Sequence, residues 1–204
     1  MKQLRRRLTG VSALILSLSL RSIAAAEQQT QGASPSGDIH YELREGAEES
    51  KRIWLFPKDG PAQAVELCET PGWGYLAVHF SPDDNWLIVQ DGGGSLGVSL
   101  RLFKRDAGVR FKEREEAKID DKIERLALTQ AGAPAKQVLD HRYAKVLSWS
   151  ADSKAVLVSV SGSGSSGARR IAVDAWTAIY DVGSGAVSLD LKKFNRSAAE
   201  ARPE

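Results

Sequence analysis

One strand–turn–strand phrase, written twice, constrains the fold of this chain more than any other feature. It reads Tyr75-Leu-Ala-Val-His-Phe80-Ser-Pro-Asp-Asp-Asn-Trp86-Leu-Ile-Val-Gln90 and again Lys145-Val-Leu-Ser-Trp149-Ser-Ala-Asp-Ser-Lys-Ala155-Val-Leu-Val-Ser159. Ser81-Pro82-Asp83 answers Ser150-Ala151-Asp152, and Phe80 answers Trp149 at an offset of 69. Proline pre-sets the backbone for a turn and aspartate bonds neighbouring amides, so each phrase predicts two strands joined by a tight turn. A supersecondary unit repeated at fixed spacing implies neighbours that bury each other's apolar faces.

Around these phrases the chain keeps a β rhythm. Short apolar or alternating runs separated by turn residues fall at Ile39–Leu43, Arg52–Phe56, Val65–Cys68, Tyr75–Phe80, Trp86–Gln90, Ser99–Phe103 and Val109–Lys112. They resume at Ala144–Trp149, Ala155–Val160, Trp176–Asp181 and Ala186–Leu191. Alternation such as Val109-Arg-Phe111-Lys marks half-buried antiparallel strands. Each full copy holds four strands, with a longer loop expected in the second copy around Ala168 to Asp174. A weaker copy precedes them at 38–68, and its first strand is missing. Residues 113–130 break the rhythm: Ile119, Ile123, Leu126 and Ala127 recur at helical spacing, and Gly132 and Pro134 stop the helix.

The phrase Phe80-Ser-Pro-Asp-x-x-Trp86-Leu-Ile and the later Tyr180-Asp-Val-Gly-Ser-Gly185 resemble blades of the WD-repeat-like β-propellers, the Tol-system periplasmic propellers among them. The resemblance implies a mainly β fold of antiparallel four-stranded blades with one inserted amphipathic helix. The blades fall at about 38–68, 75–115 and 143–191 within one domain, 38–194. Propellers close with four to eight blades. Three leave the ring incomplete, so a homodimer or an edge-to-edge partner is expected.

Residues 1–26 read as a signal peptide. Lys2, Arg5, Arg6 and Arg7 precede the apolar run Val11–Leu20, and Ala24-Ala25-Ala26 offers a cleavage site. Arg5-Arg6-Arg7-Leu8 also fits a twin-arginine signal, so the export route stays open. The run is about half of the ~20 residues a membrane span needs. A periplasmic or secreted protein without a membrane span is expected, with a disordered polar leader over 27–37 and a polar tail over 195–204. Five of the 28 basic residues lie in 1–26 with no acidic one, leaving 23 basic against 26 acidic residues. No basic patch argues for nucleic acid. The single cysteine, Cys68, cannot form an intrachain disulfide and reads as a buried strand residue.

Chemistry is thinly signalled. Gly93-x-Ser95-x-Gly97 and Gly92-x-Gly94-x-x-Gly97 spell a nucleophile elbow and a dinucleotide loop, but both mechanisms need a helix next and a strand follows. Gly162-Ser-Gly164-Ser-Ser-Gly167 repeats the pattern in the second copy, so both read as hairpin loops. His40, His79 and His141 show no metal-ligand spacing, and no metal or cofactor is expected. Asp140-His141-Arg142 is the densest polar cluster. Trp54, Trp86 and Trp149 are expected between blades, whereas Trp73 and Tyr75 flank a glycine and suit a contact for a peptide or glycan. The candidate binding residues are therefore Trp73, Tyr75, His141 and Arg142. The expected function is a non-catalytic binding module of the cell envelope, with a protein or glycan partner. The alternative is a small periplasmic hydrolase or lyase using His141 and Asp140.

Overall fold

The structure, a computed structural model, describes residues 30–48, 50–71, 74–93, 97–134, 136–166, 169–191 and 194. The stretch 1–26 expected to be a signal peptide, the candidate Trp73 and the expected tail of 195–204 lie outside them. Among the described residues the chain forms three successive four-stranded antiparallel meanders. Unit one is β1 (Gln31–Ala33), β2 (Ile39–Glu45), β3 (Ser50–Pro57) and β4 (Val65–Pro71). Unit two is β5 (Leu76–Phe80), β6 (Trp86–Gly92), β7 (Gly97–Ala107) and β8 (Arg110–Glu113). Unit three is β9 (His141–Trp149), β10 (Ala155–Ser166), β11 (Arg169–Asp181) and β12 (Val187–Ser188). The helix α1 (Ile119–Gln130) is inserted between units two and three.

Strand β1 corrects two expectations at once. It supplies the first strand that unit one lacked in sequence, and it lies inside the stretch expected to be a disordered leader. Gln31, Gly32 and Ala33 pair with Glu42, Tyr41 and His40. Backbone pairing to an apolar neighbour orders a segment whose composition alone would not.

Behind that strand sits a third version of the turn. Ser34 donates its backbone N–H to Ile39 O at 2.8 Å and accepts from Gly37 N at 2.9 Å. In unit two Ser81 bonds Trp86 O and Asp84 N at 2.9 and 3.0 Å, and in unit three Ser150 bonds Ala155 O and Ser153 N at 2.8 and 2.9 Å. In the last two turns the serine hydroxyl also donates to the aspartate two residues on, Asp83 at 2.6 Å and Asp152 at 2.7 Å. The turns are tied to one another: Ser34 Oγ donates to Asp84 Oδ2 at 2.8 Å, and Asp83 N donates to Ser153 Oγ at 3.0 Å. Asp84 and Ser153 both hold positive φ, at 57° and 60°, which aims each side chain at the preceding turn. Ser150→Ala is expected to cost about 1–2 kcal/mol by stripping a buried hydroxyl from Asp152 and from the Ala155 N–H. Thermal melting should show a drop of roughly 2–8 °C at that stability change.

Unit two is the middle layer. Along β6 the side chains alternate between its two faces. Leu87 and Val89 join Phe80 and Phe103 against Ile39, Tyr41, Ile53 and Leu55 of unit one. Ile88, with Leu100 and Leu102 of β7, faces the helix and Val156, Val158 and Tyr180 of unit three. A strand buried on both sides must be apolar at consecutive positions, which is why β6 runs Trp-Leu-Ile-Val. Trp54 differs from its expectation. Ile53 and Leu55 take the inner face of β3, so Trp54 turns outward beneath the Arg44 guanidinium, 4.9 Å from the ring centre.

The helix starts later than its sequence suggests. Glu113 ends β8, Glu115–Ala117 form a 3-10 turn, and Lys118 sits in the left-handed region at φ 41°, so α-helical geometry begins only at Ile119. Asp120 and Asp121 in the first turn complement the positive end of the helix. Ile119, Ile123, Ala127 and Leu128 form the buried stripe, whereas Leu126, expected in it, is only half-buried. The Tyr180 hydroxyl anchors the approach by donating to Ala117 O at 3.2 Å.

Units two and three are not separate blades. The start of β7 pairs in parallel with the start of β9, Gly97 with Arg142 and Val98 with Tyr143, joining both units into one eight-stranded sheet. The second glycine run also departs from expectation. Gly162 and Gly164 lie within β10, and residues 169–174, expected as a loop, continue β11 because Ile171 and Val173 are buried there. A Cβ on Gly162 would stand 2.3 Å from His141 O, so glycine is what lets β9 come this close.

Candidate functional site

A cleft of about 420 Å³ with mixed polar and apolar walls opens where the three units and the helix converge. Unit one contributes Pro71 at the end of β4, and unit two contributes Asp91 near the end of β6, Gly93 just past it, and Gly97, Val98 and Ser99 at the start of β7. The helix contributes Asp121 and Glu124; the connection to unit three adds Val138 and Leu139, and β9 adds Arg142. The parallel seam makes the cleft, because it draws the first residues of β7 and β9 together beside the helix.

Arg142 is the charge centre of one wall. Its Nη1 donates to Asp121 Oδ1 at 2.7 Å and to Glu124 Oε2 at 2.8 Å, and its Nη2 donates to Asp120 Oδ2 at 2.5 Å. Glu124 also accepts the Leu139 N–H at 2.6 Å. Burial pushes the Asp120 carboxyl above its ordinary range, against the pull of Arg142. These bonds clamp β9 to the helix, so the guanidinium expected to meet a ligand spends its donors on the protein itself.

Asp91 is the opposite case. It pairs across the strands with Leu76 and Ser99. Only 8% of it is exposed, and among the described residues its side chain makes no hydrogen bond or ion pair. Burial pushes its carboxyl up, with the charge of Arg101 opposing. That arginine is engaged elsewhere, bidentate on Glu113 at 2.9 and 2.6 Å.

The candidate residues from sequence scatter around this cleft. Arg142 lines it. Tyr75 is 48% exposed and accepts the Gly92 N–H at 2.7 Å, which sets it beside the cleft without lining it. Asp140 and His141 are exposed at the start of β9; Asp140 donates its backbone N–H to Ser163 O at 2.9 Å, and His141 lies opposite Ser163. Neither lines the cleft. Sequence reasoning missed Asp91, Asp121 and Glu124. For Asp91 a signal existed: it follows Leu87 and Val89 at the same register on a strand apolar on both faces, where a carboxylate is out of place.

Two further titratable groups are buried in the strands of units one and two. Cys68 is a free, buried thiol whose pKa burial pushes up to about 12, so it stays protonated and unreactive. His79 has a buried Nε2 without a hydrogen-bond partner among the described residues, and burial lowers its pKa from the ordinary 6.5, against a side-chain hydrogen bond with Gln90. In the unfolded chain the imidazole regains that ordinary value and protonates first as the pH falls. Stability is therefore full above about pH 6.5 and declines below it as protons bind the unfolded chain preferentially. Asp91 and Asp120, whose pKa values are raised, work in the opposite sense on acidification. The difference between wild type and His79→Gln isolates the histidine: wild type should lose more melting temperature between about pH 7 and 5 than the variant does.

No helix of the described residues is long and apolar enough to cross a membrane, and no three metal-binding side chains among them are grouped to hold an ion. No family model matches the chain. No curated protein matches it either. Among solved structures it is similar to the crystal structure of TolB from Acinetobacter baumannii, with TM-score 0.39 and 14% identity. The match covers 78% of this chain and 31% of that one, so the chain spans under a third of the length of its match.

Proposed function

We propose that the chain is an exported, non-catalytic interaction module of the cell envelope, built from three propeller-like repeats and binding a protein or glycan partner in the cleft between them. The observation that carries this reading is the convergence of all three units and the helix on one open cleft, with Asp91, a buried residue whose side chain has no partner among the described residues, in its lining. Binding sites concentrate in such concavities, where a few polar groups are set into walls that other contacts hold rigid. Here the Arg142 clamp and the glycine seam hold the walls. Export rests on the order of basic, apolar and small residues in 1–26. The hydrolase reading is less well supported, because Asp140 and His141 stand apart from the cleft.

Affinity purification from an envelope extract of the source organism tests the proposal, with the exported chain and its Ser99→Trp variant as parallel baits. Tryptophan at position 99 fills the cleft whatever the ligand. A partner retained by wild type and lost by the variant is expected, and equal recovery on both baits would contradict the proposal. N-terminal sequencing of the envelope protein should begin at Glu27.

A further inference from the structure

Resting on that reading, we infer that the cleft receives a basic side chain, a lysine or arginine presented by a polypeptide partner, with Asp91 as its acceptor. Three carboxylates, Asp120, Asp121 and Glu124, share the guanidinium of Arg142 in and behind the cleft, and Asp91 stands in the same lining as a fourth. Arg101, the next cation to Asp91, is already neutralised by Glu113. The cleft thus holds an excess of negative charge, and an incoming cation is favoured.

An acidic group of this kind could be a solvated surface, and Asp91 separates the two cases. Asp91 is more than nine-tenths buried as a residue, lines an open cleft and has no side-chain hydrogen bond among the described residues, so the charge of Arg101 is what opposes the cost of its burial there. Asp120, Asp121 and Glu124 all have Arg142, so Asp91 alone awaits a donor.

The form of the cation follows from the spacing of the acceptors. No three carboxylate, imidazole or thiolate groups among the described residues converge as metal ligands do, so a bare ion finds no cage here. An ammonium or guanidinium on a flexible stem brings its own donors to separated acceptors. Pro71, Val98 and Leu139 give the cleft apolar wall against which the methylenes of such a stem can lie.

The test titrates the purified exported chain, at low salt, with acetyl-arginine amide, acetyl-lysine amide and acetyl-glutamine amide, reading backbone amide NMR shifts. Both cationic probes should shift the amides of Asp91 and Ser99 saturably, and the glutamine probe should not. Asp91→Asn keeps the shape of the side chain and should weaken both cationic probes by roughly tenfold or more, the scale of a charge-assisted hydrogen bond. Ser99→Lys, directly opposite Asp91 across the strands, should supply the missing ammonium internally and block the probes independently. Equal response to the glutamine probe, no response to either cation, or unchanged affinity in both variants would each overturn the inference. If an envelope partner is still lost on Ser99→Trp while the basic probes fail, the binding module stands and the basic ligand falls.

Discussion

Ile123→Asp is expected to lower the melting temperature by roughly 10 °C or more, through a loss of about 4 kcal/mol or more. Ile123 is 0% exposed and sits in the core shared by α1, β7, β10 and β11. Truncating such an isoleucine alone costs about 2–5 kcal/mol, and a buried unpaired carboxylate adds its desolvation. Single domains have only about 5–15 kcal/mol to lose. Leu126→Asp, one turn away and half-buried, should do far less. Circular dichroism melts of both variants check the pair, and equal losses would mean the helix docks by another face.

Gly97→Ala carries the second large effect. Gly97 holds φ at 123°, a conformation side chains rarely adopt, and a Cβ there would stand 2.0 Å from the Arg142 carbonyl oxygen. The backbone strain alone is about 1–3 kcal/mol, and the collision must also push β7 away from β9 at their two paired positions. A loss of about 3 kcal/mol or more is expected, with faster amide exchange at Val98 and Tyr143 on either side of the seam. Gly93→Ala, which meets nothing within 4 Å, is the matched control and should be close to neutral. A Gly97→Ala protein as stable as its control would show that the seam is not as tight as the structure has it.

Much of this fold is legible in the sequence because its signals are local. A serine–aspartate turn between two apolar runs fixes both strands and their register, and the same hydrogen bonds close it in units two and three. Unit one hid its turn in Ser34-Pro35-Ser36-Gly37, where low-complexity composition masks the one serine that bonds Ile39. The helix start was blurred because Lys118 carries the break in its backbone angle, and lysine is no helix breaker by type. The long ends of β10 and β11 were obscured by glycine, which signals a loop unless a neighbouring backbone needs the room. The cleft was the least legible part. Its carboxylates come from residue 91 on β6 and residues 121 and 124 on the helix, and the parallel pairing of Gly97 with Arg142 brings them together. Arg142 was legible as polar and near a strand, yet its three carboxylate partners, all on the helix, are a tertiary fact.

Photo-crosslinking from the rim of the cleft tests the central claim most directly. Val138 lines the cleft and is 63% exposed, so a benzoylphenylalanine there projects toward whatever the cleft holds. Glu66, exposed on β4 and outside the cleft lining, is the matched control position. In cells expressing the full chain, irradiation should give a discrete adduct from position 138, absent from position 66 and lost when Ser99→Trp is combined with it. Adducts of equal yield from both positions, or none from position 138 in folded and exported protein, would contradict the account.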